Sequence, residues 1–254
     1  MNIKAIALNT FKEAIRNRFL YLLFFLGLFF AFSSYIIGLL SIGGEEQVLK
    51  DVGLAAINFF SILIAIFTGI NLVYKEIDKK TVFNILSKPI SRESFIIGKF
   101  IGLAYTMFIT LSLMIITFMV FIYFTIGKFE LNILIFFLLL YVELLVLISI
   151  SLLFSSFSTP ILSSIFTISI YLLGHVTWTF NYFRHLVTTN LAKTILYPLY
   201  YILPNLDKFN IKNDLVSNVT INSTTVMYSI LYGLLYTIAT LILTILIFRR
   251  REFK

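Results

Sequence analysis

Six apolar runs, each long enough to cross a bilayer, constrain this chain more than any other feature of it. A helix needs roughly 20 apolar residues to cross ~30 Å of hydrocarbon at ~1.5 Å per residue. Only elements that pair all their backbone polar groups internally survive in lipid, and the runs lack the alternation of a β-barrel. The expected fold class is therefore an all-α integral membrane protein with six transmembrane helices, forming a single transmembrane domain over residues 1–254. Composition agrees: 59% of residues are hydrophobic and 13% charged, against about 25% charged in a soluble domain. There is no cysteine, which excludes disulfides, thiolate catalysis and cysteine-held metal clusters. The net charge of +8 is distributed by position between spans and not along one exposed face, which argues against nucleic acid.

Residues 1–18 read as an amphipathic helix. Ile3, Ile6, Ala7, Thr10, Phe11 and Ala14 share one face, with Asn9, Lys12, Glu13 and Arg16 opposite. Such a helix is expected to lie in the cytoplasmic headgroup region. The segment is expected to be retained and not cleaved as a signal, because its polar stretch is long and no small-residue cleavage site follows. The first span is expected over Phe19 to about Leu40. An acidic outer loop with Gly43, Gly44, Glu45, Glu46, Lys50 and Asp51 follows, then a second span from about Val52 to Tyr74. The third span, Phe95 to Ile126, opens with Gly98 and Gly102, a spacing that lets helix backbones approach; local packing is its expected role. Gly127 to Glu130 make an outer turn, Leu131 to Phe154 the fourth span, and Ser155 to Thr159 an inner turn.

Pro160 opens the fifth span, which runs to about Phe183 and is the least apolar. Its Ser163, Ser164, Thr167, Ser169, His175, Thr177 and Thr179 suit a helix that faces protein or water, not lipid. Residues 184–225 form the longest polar stretch, expected as an external segment between the fifth and sixth spans. Within it Leu191 to Leu203 is apolar and aromatic but broken by Pro198 and too short to span, so a re-entrant or interfacial element is expected. The sixth span, Val226 to Phe248, is stopped by Arg249, Arg250, Arg251 and Lys254. Four cations at the N-terminus, six between Lys75 and Lys99 and four at the C-terminus make 14 of the 20 Lys and Arg. Positive loops stay on the cytoplasmic side, so both termini and the 75–94 loop are expected there, in an inner or plasma membrane.

Enzyme motifs are missing. No H-E-x-x-H, G-x-S-x-G or phosphate-binding loop is present, and an intramembrane enzyme is disfavoured on that ground. The two histidines, His175 and His185, have no neighbouring carboxylate in sequence. His175 reads as a hydrogen-bonded packing residue before it reads as a metal ligand or proton relay. Glu143 is the one acid inside a span. At the helix centre it costs roughly 2.5–3.5 kcal/mol on insertion scales, so it should face the bundle interior. It serves there either a substrate or proton path or a neutral packing role. A self-sufficient secondary transporter or channel built on Glu143 and His175 is the alternative to any motor-driven reading.

The basic loop between the second and third spans is the most specific signal. Val82, Ile85 and Leu86 share a helical face, and Phe83 points elsewhere, free to enter a partner's pocket. Thr81 can cap this short helix, and Pro89 ends it. Ser91 can cap the next helix, with Glu93 near its positive end. These residues are equally satisfied by a docking helix or by a loop that only sets topology.

A resemblance decides between them. Glu76, Lys80-Thr81, Ile85-Leu86-Ser87-Lys88-Pro89-Ile90-Ser91-Arg92 and Gly98-Lys99 resemble the loop between the second and third spans of ABC-2-type transporter permeases. Lys80 stands where many members have glycine. The likeness extends to Arg16-Asn17-Arg18, Leu203-Pro204-Asn205 and the Phe248-Arg249-Arg250-Arg251 ending. It implies a permease subunit that pairs with a second permease, as homo- or heterodimer, and docks cytoplasmic ABC ATPase subunits. ATP and Mg would sit on those subunits; this chain would hold no cofactor or metal and have no catalytic residue. Docking would fall on Glu76, Thr81, Val82, Phe83, Ile85, Leu86, Pro89 and Arg92. The second and fifth spans would line the path, which suits Asn58, Ser61, Thr68, Asn71 and His175, with Glu143 beside them. Export by alternating access is the implied direction. Antibodies raised against the 79–90 segment should bind only after intact cells are permeabilised; binding from the exterior would invert the topology.

Overall fold

The computed structural model describes residues 3–78, 91–177, 202–217, 219 and 222–250. The described residues are helical, with no strand among them. The helices are α1 (Ile3–Ile15), α2 (Arg18–Leu39), α3 (Glu45–Asp78), α4 (Arg92–Ile126), α5 (Ile133–Ser155), α6 (Pro160–His175), α7 (Lys212–Val216) and α8 (Ser223–Arg250), with a 3₁₀ turn at Leu206–Phe209. Among the described residues five helices, α2, α3, α4, α5 and α8, are long and apolar enough to cross a membrane, and α6 is a shorter apolar helix.

At the centre stands α5. Every residue from Val142 to Leu152 is buried, as expected of a helix that is apolar on all sides. Around it pack α3, α4, α6 and α8. Outside them, α2 buries one edge, Leu20, Leu23, Gly27, Leu28, Ala31, Ser34 and Gly38, and leaves Phe25, Phe29, Ile36 and Leu40 exposed. An exposed apolar face of this extent is stable only against lipid or a partner.

One helix boundary corrects the sequence expectation. The acidic residues Glu45 to Asp51 are not loop: α3 begins at Glu45, and the connection from α2 is only Leu40–Gly44, turning through Gly43 at φ +79°. Two carboxylates in the first turn suit the positive end of the helix. The ammonium of Lys50 lies 2.6 Å from Glu46 and 2.7 Å from Glu130, and Lys50 is 4% exposed. That pairing, across 80 residues of chain, binds the start of α3 to the α4–α5 turn, and it could not be read locally. Of the expected fifth span the described residues hold α6, 16 residues to His175, about 24 Å at the ~1.5 Å rise of a helix. The expected extension to Phe183, and residues 191–201 of the expected re-entrant stretch, lie outside the described residues.

Other expectations hold. Ser91 caps α4, its Oγ accepting from the Ser94 amide at 3.2 Å. Gly127 ends α4 in the left-handed region at φ +75°, its amide donating to the Tyr123 carbonyl. Asn17 separates α1 from α2 by capping the latter, its side chain accepting from the Phe19 amide at 3.1 Å. The buried face of α1 is Ile6, Ala7, Thr10 and Ala14; Ile3 is exposed and Phe11 half-buried.

That face rests on α4 at the paired glycines. A Cβ on Gly98 would lie 2.7 Å from Ile6 Cβ, and one on Gly102 would lie 2.6 Å from both the Ala7 carbonyl oxygen and Thr10 Cβ. The neighbour at Gly102 is backbone, which cannot move aside. Lys99, between the glycines and 1% exposed, reaches Glu13 of α1 at 3.7 Å. Gly102→Val should therefore destabilise the protein by about 1–3 kcal/mol, the usual cost of overpacking. Thermal unfolding in detergent should show a lowered midpoint, while Gly127→Asn, at a turn that Asn tolerates, should shift it far less.

Candidate functional site

The described segment after residue 201 enters the bundle beside the middle of α8. The Ile202 carbonyl accepts from the Tyr236 hydroxyl at 2.9 Å, the Asn205 amide donates to the Tyr232 hydroxyl at 2.8 Å, and the Lys208 carbonyl accepts from Ser229 at 3.0 Å. From Tyr236 back to Ser229 the helix rises about 10 Å, so residues 202–208 climb that distance along it. Leu206 and Phe209 are buried. Gly174 makes room for this segment: a Cβ there would lie 2.8 Å from Leu206 and 2.9 Å from the Pro204 carbonyl oxygen. Lys212 of α7 then pairs with Asp51 of α3 at 2.9 Å.

Beneath this segment the structure joins two predicted site residues. Glu143 of α5 is 2% exposed, and its Oε1 faces Nε2 of His175 at 3.5 Å. This is ion-pair range but long for a hydrogen bond, and Oε1 has no hydrogen-bond partner among the described residues. His175 is the last residue of α6; its Nδ1 lies 3.2 Å from the Tyr171 carbonyl, and its ring lies 4.6 Å from the Tyr171 ring. Asp207, exposed on the 3₁₀ turn, is near enough that its charge acts on both Glu143 and His175. The Lys208 ammonium sits 4.2 Å over the Tyr232 ring. A buried carboxyl facing a half-buried imidazole can share a proton with it.

The remaining path residues are placed on α3. Ser61 is buried with its hydroxyl 3.7 Å from Met114 Sδ of α4, and Thr68 donates back to the Ile64 carbonyl at 2.5 Å. Asn58 and Asn71 are half-buried, and Asn58 Oδ1 has no partner among the described residues. Ser163 and Thr167 of α6 are fully buried. Of the docking set, Thr81, Val82, Phe83, Ile85, Leu86 and Pro89 lie outside the described residues, and Glu76 is known only as part of α3.

Arg92 is described, and it does something that local sequence did not suggest. Its guanidinium donates to the carbonyls of Phe248 at 3.1 Å and Arg249 at 2.7 Å, at the end of α8. Glu93 pairs with Arg249, and Phe95 stacks on Phe248 at 5.7 Å. The start of α4, the end of α8 and, through Lys99, α1 therefore form one packed corner. Sequence reading also missed a stripe on α8: Ser229, Gly233, Thr237, Thr240 and Thr244 belong to its buried face, and Thr240 meets Ser149 of α5 at 2.6 Å. Spacing by three or four with small residues was a visible signal for it.

Among curated proteins none matches the chain. The model of one family, described as ABC-2 family transporter protein, matches residues 4–253. That match spans every helix described above, from α1 to α8. It carries with it a bilayer environment and association with ABC ATPase subunits. The chain belongs to the ABC-2 family of transporter proteins, as a multi-pass transmembrane permease.

Proposed function

We propose that this chain is the membrane half of an ATP-driven exporter, which pairs with a second permease and takes its work from separate cytoplasmic ATPase subunits docked on residues 76–92. The observation that carries this reading is the family match over residues 4–253, together with a basic segment between α3 and α4 that holds the docking pattern. The packed corner supports it physically. Force applied just before Arg92 would pass into α4, and from there into α8 through Arg92 and Glu93 and into α1 through Lys99 and the paired glycines. Close-packed interiors transmit displacement because they compress little.

Nucleotide does work only by favouring one of two states of the bundle. In the proposed cycle those states are inward-open and outward-open, and residues 202–209 act as a re-entrant roof over the Glu143–His175 pair. The cytoplasmic placement of both termini belongs to the same reading, as does an interfacial α1. Its α4-facing side is apolar, while Lys4, Lys12 and Arg16 are exposed, as a helix lying among headgroups requires.

The isolated chain should hydrolyse no ATP. Phe83→Asp should abolish its stimulation of a co-expressed ATPase subunit while leaving the chain in the membrane. Stimulation at the wild-type level would remove the docking role. Glu143→Gln should abolish transport by the assembled complex without dissociating it, measured by substrate efflux and co-purification. Undiminished efflux would leave Glu143 only a packing role.

A further inference from the structure

Glu143 and His175 face each other in a way that counts protons. Nδ1 of His175 lies 3.2 Å from the carbonyl oxygen of Tyr171. A carbonyl oxygen only accepts, so Nδ1 must carry the hydrogen. In a neutral imidazole the other nitrogen then holds a lone pair and no hydrogen. That other nitrogen, Nε2, is the one 3.5 Å from Glu143 Oε1. A carboxylate and a lone pair repel at that range, and nothing else answers Oε1: it has no hydrogen-bond partner among the described residues, and Glu143 is 2% exposed. A bare carboxylate there would be an uncompensated buried charge. One proton between the two atoms removes the conflict. It sits on the carboxyl and is donated to Nε2, or it sits on Nε2 and makes an imidazolium beside a carboxylate. Either way the pair holds one proton and no net charge.

The other ionisable groups around the pair leave this count unchanged. From α6 comes Tyr171, its ring tilted against the imidazole with centroids 4.6 Å apart. From the 3₁₀ turn comes Asp207, whose negative charge acts on both members, and Lys208, whose ammonium is held over the Tyr232 ring. From α8 come Tyr232 and Tyr236, both hydroxyls already bonded to the 202–205 backbone. Residues 52–71 of α3 and 106–122 of α4 contain no ionisable side chain. Among these described groups the exposed Asp207 is the other carboxylate near the pair, and no hydrogen bond or ion pair joins it to Glu143 or His175.

We infer that Glu143 and His175 form a proton-binding site, in which one proton shared between Oε1 and Nε2 clasps the end of α6 to α5. The step balances simply: the closed pair releases one proton to water and is left with one negative charge, and the carboxylate and lone pair then push apart. Gly174 packs closely against Pro204 and Leu206, so a shift of the α6 end changes its packing on the 202–209 segment. Proton release and displacement of that segment are thus linked equilibria, each favouring the other by the same free energy. This linkage is a property of the chain itself and stands independently of the ATPase reading.

The test uses the full-length chain in lipid nanodiscs, with His185→Gln leaving a single histidine to be labelled with nitrogen-15. The ring spectrum should show Nδ1 protonated. The shared proton should appear either as a second ring N–H or as a protonated-carboxyl infrared band that Glu143→Gln removes. Raising the pH should remove that proton in a single step. Glu143→Gln presents an amide hydrogen to Nε2 at every pH, so it should abolish the step. Three results would overturn the site: a bare Nδ1, a bare Nε2 opposite an ionised Glu143 at neutral pH, or an unchanged step in Glu143→Gln. A proton that never leaves before the protein unfolds would overturn the linkage. Should the Gln variant fail to fold, the wild-type ring spectrum and carboxyl band still decide the first two.

Discussion

A polar group carried into hydrocarbon must find its partner inside the protein, because lipid offers none. The architecture follows from that constraint. Backbone groups close on themselves in helices. Side-chain hydroxyls do the same: Thr106, Ser151, Thr237 and Thr244 each return a hydrogen bond to the carbonyl four residues back. Hydroxyls satisfied in this way let helices such as α5 and α8 meet along a stripe of small residues, with Ser149 and Thr240 bonded across the seam. Such interhelical bonds average only about 0.6 kcal/mol, so they align the helices more than they hold them. Glu143 Oε1 has no hydrogen-bond donor among the described residues, and the group that faces it, at 3.5 Å, is Nε2 of His175.

The two ends of the bundle are fastened differently. At the end holding α1 and the close of α8, backbones touch: Gly98 and Gly102 admit α1, and Arg92 seals the carbonyls of α8. These contacts are close: a Cβ at Gly102 would lie only 2.6 Å from the Ala7 carbonyl oxygen. At the other end the fastening is ionic, through Lys50 between Glu46 and Glu130 and through Lys212 with Asp51. The two fastenings differ in burial: Lys50 is 4% exposed, so separating it from its carboxylates would leave a buried charge unpaired, whereas the Lys212–Asp51 pair is more exposed and contributes little.

Much of the fold was legible because its determinants are local. Five of the six expected spans are helices long and apolar enough to cross a membrane, and the cap at Ser91, the turn at Gly127, the break before Pro160 and the GxxxG at the start of α4 stand where they were expected. The misread boundary at Glu45 shows the limit. Glu45, Glu46, Lys50 and Asp51 look like a solvated loop until Glu130 and Lys212 are brought to them from far along the chain.

The candidate site divides the same way. Sequence alone determined that Glu143 must turn inward, because the cost of an acid facing lipid depends only on its depth in the helix. It also determined the family pattern of the 76–92 loop, which is a property of consecutive residues. Only the tertiary structure decided that His175, far along the chain and without a carboxylate near it in sequence, is the residue Glu143 meets, and that α6 ends there beneath Pro204 and Leu206. The reason is physical: which helix faces which is set by the shapes of packed small residues summed over many turns, and no single stretch of chain contains that sum.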